Sequence, residues 1–202
     1  VQQVLVPALV GELDKAGIMT KGQFNEIDGV GAWVYGIAFL INGPLADRWG
    51  GRTTILIAAV ASSVVNLGMG FAMQQGTNGS WDNAQLQQAF MFLNAANMYF
   101  QSFGAVSIVK VNAPWFHVRE RGVLGGLFGI LISLGLYFAY DWSLLLIKVG
   151  PSAPFWVPSA VLAACAIVAA KFVRDSPSAA GFDDFDTGDA SSGQVGTLTL
   201  RE

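Results

Sequence analysis

The sequence predicts an all-α, polytopic transmembrane helix bundle, and three observations lead there. Of 202 residues, 53% are hydrophobic and only 12% charged, and the mean hydropathy is +0.49, well above that of a soluble domain of ordinary composition. Charge is missing over long runs: residues 29–46, 122–140 and 149–170 carry none, and residues 53–109 carry only Asp82. A helix rising about 1.5 Å per residue needs ~20 apolar residues to cross a hydrocarbon core of ~30 Å, a length these runs meet or approach. The net charge of −3, from 11 basic and 14 acidic side chains, supplies no basic field for nucleic acid.

Residues 1–13 contain an apolar stretch, 4–10, too short to cross a bilayer, and read as the end of a partial first helix whose beginning precedes Val1. Five complete spans follow. The first, 27–47, is closed by Asp47-Arg48 and by the reversal at Gly50-Gly51, and the second, 53–73, by the Gln-Gln-Gly-Thr-Asn-Gly-Ser run from Gln74. The third, 85–112, stops at Ala113-Pro114 and carries Gln87, Asn94, Asn97 and Gln101 at spacings of seven, three and four, which puts four amides on one helix face. In the fourth, 121–146, Gly122, Gly126, Gly129 and Ser133 share a face suited to close helix crossing. The fifth, 153–173, contains the single Cys165, expected as a packed thiol.

Short connections favour antiparallel neighbours, so residues 1–173 are expected to form one up-and-down bundle. Residues 174–202, rich in Ser, Gly and Asp and carrying Asp183, Asp184, Asp186 and Asp189, read as an acidic, disordered linker. Arg48, Arg52, Lys110, Arg119, Arg121, Lys171 and Arg174 all fall on one side of the bundle, against Lys15, Lys21 and Lys148 on the other. The positive-inside rule makes the first side, and the tail, cytoplasmic.

Amides are costly toward lipid, so the 87–101 face looks either into a wet path or at interhelical hydrogen bonds. Lys110 either snorkels to the headgroups or joins a gate with Asp47 or Glu120. Enzymatic constellations are missing: His117 and Cys165 are the only residues of their types, neither has metal-ligand spacing, and no span pairs a nucleophile with a base. Metal and cofactor are therefore not expected. The complete spans lack the carboxylates that proton-coupled carriers use, Asp141 lying near an outer end, which favours exchange or facilitated movement.

The segment Gly43-Pro-Leu-Ala-Asp47-Arg48-Trp-Gly50-Gly51-Arg52 resembles the signature loop of the major facilitator superfamily: glycine, three residues, aspartate, arginine, one residue, glycine and a closing basic residue. The penultimate basic residue of that pattern is Gly51 here. Trp115-Phe116-His-Val-Arg119-Glu120-Arg121-Gly122, Asp141-Trp142, and Arg174-Asp175-Ser-Pro177 followed by Gly181 are similar to the organophosphate:phosphate antiporter branch. The resemblance implies the N-terminal six-helix half of a major facilitator fold. It implies a secondary transporter, multi-pass in a bacterial inner membrane, that moves a small polar or anionic solute by alternating access; an organophosphate in exchange for phosphate is the narrower reading. The partners implied are the lipid bilayer, the solute and a C-terminal half missing from this chain. The alternative is a transporter-like sensor that binds a solute without moving it.

The resemblance and the amide face together place the substrate pathway at Tyr35, Asn94, Asn97, Gln101 and Lys110. They place the cytoplasmic gate at Gly43, Asp47, Arg48, Gly50, Arg52, Arg119, Glu120 and Arg121. In the family's pattern a basic arginine falls just before Val1, a lysine at Phe39 and a histidine at Ile132.

Overall fold

The computed structural model describes residues 10–11, 13–15 and 17–188. Five long helices occupy most of them: α1 (Lys21–Trp49), α2 (Gly51–Thr77), α3 (Asn83–Asn112), α4 (Arg121–Leu146) and α5 (Ala153–Phe172). Short 3-10 turns follow α3 at Ala113–Trp115 and α5 at Ser178–Ala180. No strand occurs among the described residues. Most of the partial helix expected at 1–13 lies outside them, as do residues 189–202 of the acidic tail.

Capping chemistry sets two of the starts. Thr20 accepts the Gln23 N–H while the Gln23 side chain accepts the Thr20 N–H, and Asp82 and Gln85 repeat this at α3; each box satisfies two of the helix's orphan donors. The first box starts α1 earlier than apolarity alone suggests, so Asp28 lies well inside a helix. That corrects the expectation of spans without an internal carboxylate. One Asp28 oxygen is buried without a partner among the described residues.

Helices α1, α2, α4 and α5 are long and apolar enough to cross a membrane. Helix α3 has the length, 30 residues or ~45 Å, but its amides and serines lower its apolarity. It is packed between α1 and α2, and α2 packs in turn on α5.

Small polar residues join these helices, which matters where lipid offers no hydrophobic drive for association. Ser63 and Ser159 bond reciprocally, each hydroxyl to the other's carbonyl at 2.9 and 2.7 Å, tying α2 to α5. Asn42 of α1 donates to Ser102 Oγ of α3 at 2.6 Å, and Ser107 of α3 donates to Thr54 of α2 at 2.7 Å. At the end opposite the arginines, Leu13, Phe24, Met73, Leu86, Phe90 and Phe155 form a buried apolar core, with Phe90 and Phe155 edge to face at 5.4 Å.

Helix α4 stands apart. Its buried residues are Ala139 and Ser143, and among the described residues its main helix neighbour is α5. A side chain added at Gly122, Gly126 or Gly129 would meet no atom within 4 Å, so the close crossing expected from this glycine face is not made among the described residues. Ser133 bonds back to the Gly129 carbonyl instead. Cys165, expected to be packed, is exposed on α5: the run around it is apolar enough for lipid and needs no protein cover.

Candidate functional site

The α1–α2 reversal and the ends of α3 and α5 meet at the arginine-bearing face. The Asp47 carboxylate forms an ion pair with the Lys110 ammonium, linking the end of α1 to the last turn of α3. The Asp47 side chain is 68% exposed and that of Lys110 28%, so water screens the pair and it contributes only ~0–1 kcal/mol.

Gly50 and Gly51 are required by geometry. Gly50 has φ +84°, and a Cβ there would sit 3.2 Å from an Asp175 oxygen. Gly51 is buried, and its Cβ would fall 2.9 Å from the Val111 nitrogen and 2.7 Å from the Val111 Cγ2. The start of α2 thus rests directly on the backbone of α3, which explains glycine where the family's pattern carries a base.

A glycine cap leaves the first N–H groups of α2 without a side-chain acceptor. Asp175, just past α5, replaces it: Oδ1 accepts the Arg52 N–H at 2.6 Å, a carboxylate at the positive end of the helix dipole. The Arg52 guanidinium donates to the Ala170 carbonyl at 2.7 Å, so one arginine at the start of α2 holds the end of α5. Asp175 was quoted above for resemblance alone; nothing in the local pattern announces a cap acting 123 residues away.

The remaining residues expected at the gate divide into separate groups. Arg48 is exposed and Gly43 half-buried. Arg121 donates to the Ala113 carbonyl at 2.7 Å. Glu120 accepts the His117 N–H, and the Arg119 N–H donates to His117 Nδ1, both at 3.2 Å. Asp47 and Lys110 are therefore joined to each other, while Arg119 and Glu120 order their own loop.

The amide face divides as well. Gln87 accepts from Gln23 and donates to Glu26, at 3.0 and 2.7 Å, and Asn94 donates to the Ile27 carbonyl at 3.1 Å; these two tie α3 to α1. Asn97 is fully buried with both side-chain polar atoms unpartnered among the described residues. Gln101 lines a cavity of about 420 Å³ whose other walls come from α2, α4 and α5, including Ser62, Asn66, Phe138, Trp142 and Leu162. Ser62 Oγ and Asn66 Oδ1 are buried there without partners among the described residues, although Asn66 Nδ2 reaches the Ser62 carbonyl at 2.9 Å. Tyr35, half-buried near the middle of α1, has its ring 6.4 Å from that of Phe39. The five residues expected on one pathway thus occupy different surroundings: Asn94 holds two helices together, Gln101 borders the cavity, and Lys110 closes the far end.

Sequence reasoning missed Ser62 and Asn66. Their signal was available, two polar residues one helical turn apart in the middle of a predominantly apolar span. No group of three or more metal-ligating side chains occurs among the described residues.

The family profile of the Major Facilitator Superfamily matches residues 2–195. Among curated proteins, the chain is 25% identical over 172 residues to the putative glycerol-3-phosphate transporter 1 of Arabidopsis thaliana, covering 85% of this chain and 32% of that protein. It is 31% identical over 138 residues to the probable nitrate/nitrite transporter NarK2 of Mycobacterium tuberculosis, 68% of this chain and 32% of that one. With the membrane sensor protein UhpC of Salmonella typhimurium it shares 28% identity over 115 residues, 57% of this chain and 23% of the sensor. In each case the chain spans a third or less of the relative's length. No solved structure matches.

Proposed function

Because the chain belongs to the Major Facilitator Superfamily, an integral membrane family, we propose that it supplies one half of a carrier that moves a small polar or anionic solute by alternating access. The observation that carries this reading is the Asp47–Lys110 pair. It joins two helices by a contact weak enough to open, at the end where a carrier of this kind must close. The second half of the carrier is the proposed partner, and the arginine-bearing face is proposed as cytoplasmic by the positive-inside rule.

The proposed pathway runs along Tyr35, Asn97 and Gln101 to Lys110, with Asn94 fixing α1, and hence Tyr35, against α3. Gly43, Asp47, Arg48, Gly50, Arg52, Arg119, Glu120 and Arg121 are the proposed gate region. Within it Asp47 is the moving contact, and Arg52 and Arg121 anchor the surrounding loops. For the solute we favour an organophosphate exchanged for phosphate, on the strength of the glycerol-3-phosphate transporters among the relatives. Lys110 is the cation within a described helix best placed to meet such an anion as it leaves the bundle.

Uptake by the full-length protein in proteoliposomes tests the gate, with Asp47→Asn beside the parent. The expected result is a changed rate or a lost dependence on the direction of the gradient; an unchanged rate under every gradient would remove the gate assignment. Exchange of radiolabelled phosphate against glycerol 3-phosphate tests the solute class, and no exchange would leave the carrier reading without its organophosphate. The second reading, a sensor, is favoured by the likeness to UhpC. Solute binding without counterflow would establish it.

A further inference from the structure

The segment after α5 is fastened at both ends. Near its start, Asp175 caps α2 and the Arg174 carbonyl accepts the Trp115 indole N–H at 3.2 Å. Its middle is closed on itself: the Asp184 carboxylate accepts the Ser178 N–H at 2.9 Å, and the Phe182 N–H reaches the Pro177 carbonyl at 3.0 Å. At its far end the Thr187 carbonyl accepts the Val118 N–H at 2.8 Å. Gly188, with φ +73°, lies so close to the His117 imidazole that a Cβ would come within 2.7 Å of Nε2. Thr187 is 7% exposed, whereas Phe182 between the anchors is 68% exposed.

The far anchor is informative because it grips the loop that leads into α4. That helix is nearly bare elsewhere, and its first two turns touch no other helix at their glycines. The loop's own contacts, from Arg121 to Ala113 and from Glu120 to His117, stay within the α3–α4 connection. Among the described residues the tail segment runs from this loop back to the start of α2, at Gly50 and Arg52, a few residues from Asp47.

We propose that residues 174–188 are a strap that ties the loop before α4 to the start of α2, and that the strap lets go at Thr187 when the Asp47–Lys110 pair opens. The near anchor moves with Gly50–Arg52, which continue directly from the end of α1 a few residues after Asp47, so separating α1 from α3 pulls on Asp175. The backbone bond and van der Waals contact at 187–188 form the weaker attachment and release first. Closing the pair redocks the strap and restrains α4. The coupling half of this inference rests on the gate reading above; the docking half does not.

Thiol labelling tests both. In a cysteine-free background, which within these 202 residues requires Cys165→Ala, Thr187→Cys and Phe182→Cys are reacted with a membrane-impermeant maleimide in the detergent-solubilised full-length protein. Burial should make position 187 react about tenfold more slowly than 182, because reaction waits for local opening. Asp175→Ala and Lys110→Gln should each speed labelling at 187 several-fold and leave 182 unchanged, which also controls for loss of fold. Equal rates at 187 and 182 in the parent would overturn the strap. Slow labelling at 187 that ignores Lys110→Gln would overturn the coupling while leaving the docked strap, and the uptake experiment on Asp47 judges the gate separately.

Discussion

The two glycines Gly43 and Gly51 lie within one signature segment, and the structure assigns alanine substitutions there opposite signs. Gly43 sits inside α1 with no atom within 4 Å of an added Cβ. Alanine there gains helix propensity and loses backbone freedom in the unfolded chain, stabilising by about 0.5–1 kcal/mol. Gly51 is pressed on α3, its Cβ position 2.9 Å from the Val111 nitrogen and 3.2 Å from the Lys110 Cβ. The nitrogen belongs to backbone and cannot swing aside, so α2 must shift, and overpacking of this kind costs about 1–3 kcal/mol. At roughly 2–4 °C per kcal/mol for a chain of this size, Gly43→Ala should raise the melting temperature by about 1–4 °C and Gly51→Ala lower it by about 2–12 °C. Thermal unfolding followed by circular dichroism in detergent reads both. If Gly51→Ala melts at or above the parent, the direct seating of α2 on the α3 backbone is wrong, and with it the explanation for glycine at this position.

Asp175→Ala should cost about 1 kcal/mol, since it removes the carboxylate cap from α2, and Asp175→Asn should recover part of that loss because its carbonyl oxygen still accepts the Arg52 N–H; equal melting of all three proteins would deny the cap. Gln101→Leu should reduce uptake about tenfold, the equivalent of one hydrogen bond of roughly 1.4 kcal/mol, and lower the melting temperature by less than Asn94→Leu does. Asn94→Leu should lower the melting temperature, and the reverse pattern would exchange the proposed roles. Ser63→Ala and Ser159→Ala should each cost about 0.6 kcal/mol, typical of polar contacts between membrane helices, and the two losses should add, because each hydroxyl bonds the other residue's backbone carbonyl; no loss in either variant would mean the reciprocal bonds do not join α2 to α5.

Helix existence was legible because charge-free runs of membrane length leave few alternatives, whereas the capping boxes at Thr20/Gln23 and Asp82/Gln85, although local, played no part in placing the helix starts from sequence. Asp28 was misjudged for that reason: apolarity marks the lipid-compatible part of a helix, whereas the capping box marks where the backbone begins. Periodicity grouped Gln87, Asn94, Asn97 and Gln101 correctly on one face of α3. It could not assign them separate surroundings, because α3 lies between α1 and α2 and one broad face touches different elements along its length. Asp175 was invisible as a cap since its acceptor role depends on where α5 ends relative to α2, a tertiary fact with no local spacing. The exposure of Cys165 follows from lipid as solvent: an apolar run facing hydrocarbon looks the same in sequence as one facing protein.

The weakness of the contacts at the arginine-bearing face bears on how a carrier could use them. Driving a two-state equilibrium from one hundred to one in one direction to the same ratio in the other takes ~5.5 kcal/mol. The Asp47–Lys110 pair, exposed as it is, supplies at most about 1 kcal/mol of that. The Thr187–Val118 bond adds about 1 kcal/mol, while the Asp175 cap stays with the start of α2. Together the two approach 2 kcal/mol, enough to bias one state by about thirtyfold but not enough to lock it. A single strong buried bridge would hold the face shut against any solute of ordinary affinity. Two weak contacts at one face can open in turn, so a solute or a second half-bundle with a few kcal/mol of preference for the open arrangement can release them both.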